Sequence, residues 1–336
     1  MFNRLMTVAV FASVCLVCSN ISAANTRSIE DHPKIDKFIN KMVTKHQFNR
    51  NDLKQMFAQV KVIPAIIESM NKPAESLPWH RYQKIFLKET RITQGVEFWA
   101  LNEAVLRRAE AKYGVPAEII VAIIGVETRY GRNKGGHKVL DSLTTLVVDY
   151  PRRSKFFSKE MEEFLLLARN EKLDPLQIEG SYAGAMGKPQ FMPSSYRRYA
   201  VDFDGNGVRD LLDSSDDAIG SVANYLSRHG WQRAQPVAKR AEIKGKKYAQ
   251  LVKKGLKPHI KVSEVKKFGV RIDEGLSSDL KTALIELKAE NGKEYWLGLT
   301  NFYAITRYNH SALYAMAVFQ LAQAVSESRI KIASSN

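Results

Sequence analysis

The chain has 336 residues, with 51 Lys and Arg against 35 Asp and Glu for a net charge of +16, and only two cysteines. Both cysteines, Cys15 and Cys18, fall in the first 18 residues, which excludes a disulfide scaffold or a thiol-based site for everything downstream. A chain of this length builds a large core over two or three domains, and its basic surface calls for an anionic partner that composition alone does not name.

At the N-terminus, Arg4 precedes the apolar run from Leu5 to Cys18, and the small residues Ser22, Ala23 and Ala24 follow. That layout predicts a secretory leader over residues 1–24. The run is shorter than the roughly 20 residues a membrane span takes. Val17 stands before Cys18 where lipid attachment asks for a small residue, so a soluble periplasmic product is expected, with membrane association disfavoured. An exported protein meets wall peptides and anionic head groups rather than nucleic acid, which is set aside as a partner.

From residue 34 to 70 the apolar residues Ile35, Phe38, Ile39, Met42, Leu53, Met56, Phe57 and Val60 recur at steps of three and four, predicting amphipathic helices. These form a helical domain over 25–94, with a Pro-containing linker from Lys72 to Trp79. Residues 95–234 are again helical in period and are interrupted by Gly- and Asp-rich loops. Within them, Pro116 opens a helix that is apolar on nearly every face and runs to Glu127-Thr128-Arg129-Tyr130-Gly131. A carboxyl at the end of a buried helix is partly desolvated, which suits proton donation; an ion pair between Glu127 and Arg129 or Arg132 is the alternative the segment leaves open.

The run Gly180 to Tyr196 is rich in small residues that permit close backbone approach. Ser181 and Gln190 add hydrogen-bonding groups, and Phe191 with its Met neighbours adds an apolar wall, a mixture suited to sugars or to tight helix packing. Next comes Asp202-Phe203-Asp204-Gly205-Asn206-Gly207-Val208-Arg209-Asp210-Leu211-Leu212-Asp213. Its spacing matches the calcium loop of an EF-hand, with Asp202, Asp204, Asn206, Asp210 and Asp213 offering side-chain oxygens and Val208 a carbonyl. Asp213 stands where such loops carry Glu, so one structural Ca2+ ion is expected rather than a sensor.

After Gln235-Pro236 the chain becomes Lys-rich with short alternating stretches. Asn291-Gly292 between Leu284–Lys288 and Tyr295–Leu299 predicts a hairpin, giving a small β-containing domain over 235–300. A helical pattern returns over 301–336 and packs back on the core. Its entry holds Arg307, Tyr308, Asn309 and Tyr314, and with Tyr225 these aromatics fit either sugar stacking or a core. The pair Arg152-Arg153 fits a solvated turn or an anion contact.

Taken in order, Glu127-Thr128-Arg129-Tyr130-Gly131, the Ser181 to Gly187 run through Gln190-Phe191-Met192-Pro193, the calcium loop and Arg307-Tyr308-Asn309 resemble the lytic murein transglycosylase B family, over about residues 30 to 325. The resemblance implies a mainly α (α+β) fold, with a lysozyme-like core flanked by a helical domain and a small β domain. It implies a peptidoglycan lytic transglycosylase in which Glu127 protonates the bond between N-acetylmuramic acid and N-acetylglucosamine. Glu127 then acts as base while the muramyl C6 hydroxyl attacks C1, leaving a 1,6-anhydro end. It puts Ser181, Gln190, Tyr225, Tyr308, Asn309 and Tyr314 in the cleft, and extends the contacts through Tyr82, Phe191, Arg152 and Arg153. Phe156 departs from the tyrosine usual there. The partners it implies are glycan strands and other cell-wall enzymes. From the residues alone, a hydrolase using a second carboxylate such as Asp141 or Asp149 and a wall-binding module that does not cut both stay open.

Overall fold

The computed structural model describes residues 29–72, 76–273 and 275–335. The expected leader, Cys15 and Cys18 lie outside the described residues, as does the middle of the linker after Lys72.

Three short helices lead the fold: α1 (Pro33–His46), α2 (Arg50–Phe57) and α3 (Pro64–Asn71). Helix α1 buries Ile35, Phe38, Ile39 and Met42, the stripe its period requires, and starts with Pro33 in the first turn, where a missing N–H costs nothing. Asn49 caps α2 by accepting from the backbone of Asn51 at 2.8 Å. Helices α4 (Trp79–Phe86), α5 (Glu89–Leu101) and α6 (Glu103–Tyr113) lead to α7 (Ala117–Thr128). Ten of the twelve residues of α7 are buried, so it can only be a central helix.

A two-residue strand β1 (His137–Lys138) opens α8 (Val139–Asp149), and a turn at Pro151–Arg153 leads to α9 (Ser154–Asn170). Strand β1 pairs antiparallel with β2 (Glu179–Gly180), ahead of α10 (Pro193–Tyr199) and α11 (Ser215–Arg228).

The β-containing segment forms a five-stranded antiparallel sheet. Its strands are β3 (Ala238–Ile243), β4 (Ile260–Lys261), β5 (Val270–Arg271), β6 (Lys281–Lys288) and β7 (Lys293–Gly298), in the order β4-β6-β7-β3-β5, with the short helix α12 (Ala249–Val252) beside them. The β6–β7 hairpin closes at Lys288 opposite Lys293, with Gly292 at a φ of 90° as an Asn-Gly turn requires. Consecutive residues Ala283, Leu284 and Ile285 are all buried because both faces of the sheet are covered. Leu284, Leu297 and Ala241 join a small core of their own with Leu251, Val265 and Val270, while Ile285 and Leu287 belong to the main core. Buried Asn301 staples the base of this insertion, donating to the carbonyls of Gln232 at 2.9 Å and Gln235 at 2.7 Å and accepting from Gln232 N at 2.7 Å.

The C-terminal segment forms two helices rather than one, α13 (Thr300–Ile305) and α14 (Ala312–Ser335). Helix α14 runs against α7, and one contiguous core extends from Ile35 to Val325.

Candidate active site

Glu127 occupies the last turn of α7, half-buried, where the chain leaves through three consecutive left-handed residues, Arg129 (φ 49°), Tyr130 (φ 62°) and Gly131 (φ 84°). A helix ending inside a protein must find partners for its last carbonyls. Here Arg129 N returns to Gly125 O at 3.1 Å, Tyr130 N returns to Ile124 O at 3.2 Å, and the Arg91 guanidinium donates to Gly125 O at 2.7 Å. Tyr130 then folds back under the helix, its hydroxyl on Arg91 O at 3.0 Å and its ring stacked on Phe98 at 5.5 Å. Thr128 joins the helix end to the next loop, its hydroxyl donating to Lys188 O at 2.8 Å and accepting from Gly131 N at 2.9 Å.

The Glu127 carboxyl accepts a hydrogen bond from the Tyr314 hydroxyl at 2.6 Å. Tyr314 lies in the first turn of α14 and is 3 % exposed. Burial, and after it the adjacent charge of Glu127, holds its phenol well above the ordinary tyrosine range, so it stays a neutral donor. Tyr308 lies parallel to it, with ring centres 6.3 Å apart, and donates to Pro189 O at 2.5 Å. Burial followed by Glu127 raises the Tyr308 phenol in the same way.

Ser181 and Gln190 belong to one loop, closed by backbone bridges between Gly180 and Met186 and between Met186 and Phe191. The Ser181 hydroxyl oxygen accepts from Ala185 N at 3.0 Å and Ala183 N at 3.3 Å, which leaves its proton to donate. Gln190, at a φ of 50°, donates its amide to Lys134 O and Gly187 O, both at 3.0 Å, leaving its amide oxygen as acceptor. Because Pro189 receives Tyr308 and Lys188 receives Thr128, this turn, the end of α7 and the start of α14 form one hydrogen-bonded unit. Asn309 is half-buried in the loop before α14.

Three expected ligand contacts turn out to be interior. Phe191 is 2 % exposed and is packed between Tyr225 at 5.4 Å and Tyr308 at 5.6 Å. Tyr225 donates to Arg307 O at 2.6 Å and stacks on His229, and Tyr82 is buried against Trp79 and Phe86. None offers an open ring face; Phe191 and Tyr225 pack against Tyr308. Arg152 and Arg153 are exposed at the opposite end of α8 from the Ser181 strand, about 16 Å along eleven helical residues. Arg153 covers Phe156 at 4.3 Å. Of the carboxylates considered as partners of Glu127, Asp141 is occupied by the backbone N–H of Lys61 at 3.0 Å.

The acidic loop also differs from its spacing. Carboxylate oxygens of Asp202, Asp204 and Asp217 come within 4.8 Å of one another, a hard-oxygen set that fits a divalent cation such as Ca2+. Asp217 is fully buried at the start of α11 and accepts from Phe203 N at 2.6 Å and Asp210 N at 2.7 Å. Burial raises its carboxyl pKa, opposed by those two bonds. Asp213 does not close the loop: its carboxylate faces solvent and pairs with Lys134 at 2.7 Å. Asp210 turns back to Leu212 N and Asp213 N, and the Asn206 side chain accepts from Val208 N at 2.8 Å. Reading the loop as twelve contiguous residues misses Asp217, although Ser214-x-x-Asp217 is a helix-start pattern, with Ser214 accepting from Asp217 N at 3.2 Å. No sequence signal marks Arg91, and the motif that holds Thr128 and Tyr130 does not disclose the bonds by which they brace the helix end.

Comparison with known proteins gives the family and the overall fold. The transglycosylase SLT domain matches residues 30–323. Membrane-bound lytic murein transglycosylase B of Escherichia coli is 45% identical over 311 residues, 90% of this chain and 85% of that protein. The Escherichia coli lytic transglycosylase in complex with calcium superimposes with a TM-score of 0.81 at 45% identity, covering 89% of this chain and 95% of the other. Lytic transglycosylase SltB3 of Pseudomonas aeruginosa, in complex with NAG-NAM-pentapeptide, superimposes with a TM-score of 0.78 at 32% identity, covering 89% of this chain and 80% of the other.

Proposed function

This chain belongs to the lytic murein transglycosylase B family of peptidoglycan-cleaving lyases, and from that premise we propose that Glu127 performs both proton transfers of the reaction. The observation that supports this most directly is the Glu127 carboxyl at the half-buried end of a core helix, with one oxygen held at 2.6 Å by a neutral tyrosine. In the first step Glu127 gives its proton to the oxygen joining N-acetylmuramic acid to N-acetylglucosamine, and the bond from C1 to that oxygen breaks. Tyr314 continues to donate to the carboxylate that results. A hydrogen bond to a charged group contributes about 1.5–3 kcal/mol, so it favours the state after proton donation. In the second step the carboxylate takes the proton of the muramyl C6 hydroxyl as that oxygen bonds to C1. No water is consumed, and the product carries a 1,6-anhydro end.

In this reading Ser181, through its hydroxyl proton, and Gln190, through its amide oxygen, hold sugar hydroxyls beside Glu127, with Asn309 at the same rim. Arg152 and Arg153 meet the strand farther out. Calcium held by Asp202, Asp204 and Asp217 would brace the loop that precedes α11; a relative's complex with calcium supports the choice of ion, and the proximity of the three carboxylates supports the site. The peptide-bearing glycan in a relative's complex supports glycan strands as the ligand. The leader-like sequence of residues 1–24 supports export to the periplasm, and none of the described helices is long and apolar enough to cross a membrane.

Mass spectrometry of fragments released from purified sacculi tests the chemistry. Anhydro fragments about 18 mass units below reducing ones, absent with Glu127→Gln, are expected if one group acts as acid and base. Reducing ends would replace the reading with hydrolysis and a second carboxylate; sacculi bound but not cut by the folded wild-type protein would replace it with a binding role.

A further inference from the structure

Away from Glu127, a concavity of about 950 Å³ runs between α1 and α9. Lys34, Lys37, Lys41 and Lys45 line one wall, and Lys155 and Lys159 line the other. The four on α1 are spaced three and four residues apart, one helical face about 16 Å long. Both carboxylates in the groove are already satisfied. Glu162 receives Lys41, Lys45 at 3.0 Å and His46 at 2.6 Å, and Glu163 pairs with Arg197. Lys34 is held by the last carbonyls of α8, Val147 O at 2.9 Å and Val148 O at 2.8 Å. Lys37, Lys155 and Lys159 make no salt bridge among the described residues, although they face one another across the groove. Like charges gathered in a concave site repel, and an anion entering it relieves the repulsion.

We propose that this groove binds the acidic peptide carried by the glycan strand, as an affinity site outside the cleft; the proposal rests on the peptidoglycan reading above. Lysines on two facing walls suit a narrow chain with carboxylates along it, whereas a flat lipid surface reaches only the rim. Phe38, Val147 and Pro151 give the apolar parts of such a peptide a floor. Helix α8 connects the two sites: it begins after the strand paired with Glu179–Gly180, beside Ser181, and ends under Lys34. A strand lying over Ser181 therefore has its neighbouring peptides within reach of the groove.

The test compares wild type with the triple variant Lys37→Gln, Lys155→Gln, Lys159→Gln and with its Lys→Arg counterpart. Substrates are intact sacculi and glycan strands stripped of peptides by an amidase, at low salt and at about 0.5 M salt. The expected result is a KM on intact sacculi raised about tenfold at low salt, with kcat unchanged, restored by the arginines and absent at high salt. On stripped strands the variant should match wild type. Equal KM on intact sacculi, or equal loss on both substrates, would overturn the proposal. Titration with a free acidic stem tetrapeptide separates it from the catalytic reading: weaker binding by the variant supports the groove even if wild type cuts neither substrate. Loss of binding to anionic phospholipid vesicles with sacculus affinity intact would assign the groove to a membrane and overturn the proposal.

Discussion

Replacing Gly125 by alanine should destabilise this protein, although the same change at an open helical position stabilises by about 1 kcal/mol. A Cβ at Gly125 would lie 2.6 Å from both Cζ and the hydroxyl of Tyr130 and 2.7 Å from its Cε1, so the ring must move by roughly 1 Å to reach ordinary contact. It has little freedom to do so. Its hydroxyl is bound to Arg91 O, its face is stacked on Phe98, and the hydroxyl sits just 2.5 Å from where a Cβ at Gly95 would be. Overpacking of this kind costs about 1–3 kcal/mol, and a distorted buried hydrogen bond about 1 more. After the helix-propensity gain, a net loss of about 1–3 kcal/mol remains. Because Gly125 is one turn from the end of the helix, the strain also moves Glu127 off Tyr314, and clearing of sacculi should fall more than stability does. Urea denaturation measures the first effect and turbidity the second. Tyr130→Leu removes the obstructing atoms, so the double variant should be at least 1 kcal/mol more stable than the two single changes predict. A single variant more stable than wild type, or additive behaviour in the cycle, would refute the packing argument.

Tyr314→Phe should keep the fold and lower kcat on sacculi by about 10- to 100-fold, from the loss of a charge-assisted bond of about 1.5–3 kcal/mol; an unchanged kcat would remove Tyr314 from the mechanism. Calcium should raise the melting temperature of wild type and of Asp213→Asn but not of Asp217→Asn, because only Asp217 joins Asp202 and Asp204; the reverse pattern in calorimetry would restore the contiguous loop. For Glu162, burial favours the neutral acid, but bonds from Lys41, His46 and Lys45 outweigh it and hold the carboxyl at about 2, below its ordinary 4.5. A depressed carboxyl stabilises above its unfolded value, and that contribution is lost as pH falls from about 4.5 through about 2. Glu162→Gln should therefore cost about 1–2 kcal/mol at neutral pH, after allowance for solvent screening, and should flatten the decline between those pH values in denaturation curves.

Short-range pattern in the sequence settles a good deal of this fold. The stripe of Ile35, Phe38, Ile39 and Met42 can form only one kind of helix, Asn291-Gly292 demands a hairpin, and the all-apolar helix before Glu127 must be central and must expose its carboxyl at its end. Asp202 and Asp204 belong together because a single residue, Phe203, separates them at a fixed backbone distance. These features follow from periods and turn geometries that depend only on neighbours in the chain.

What the tertiary structure decided involves distances along the chain that no period spans. Tyr314 reaches Glu127 across 187 residues, and Asp217 comes beside Asp202 and Asp204 through its bonds to Phe203 and Asp210 at the start of α11. Whether an aromatic is platform or core is set by what covers it, so Tyr82, Phe191 and Tyr225 read as sugar contacts until the chain closes over them. The lysines of α1 are a solvated helix face in one dimension and become a groove only when α9 brings Lys155 and Lys159 opposite them. Local periodicity says which way a side chain points along its own element; only packing says what it meets there.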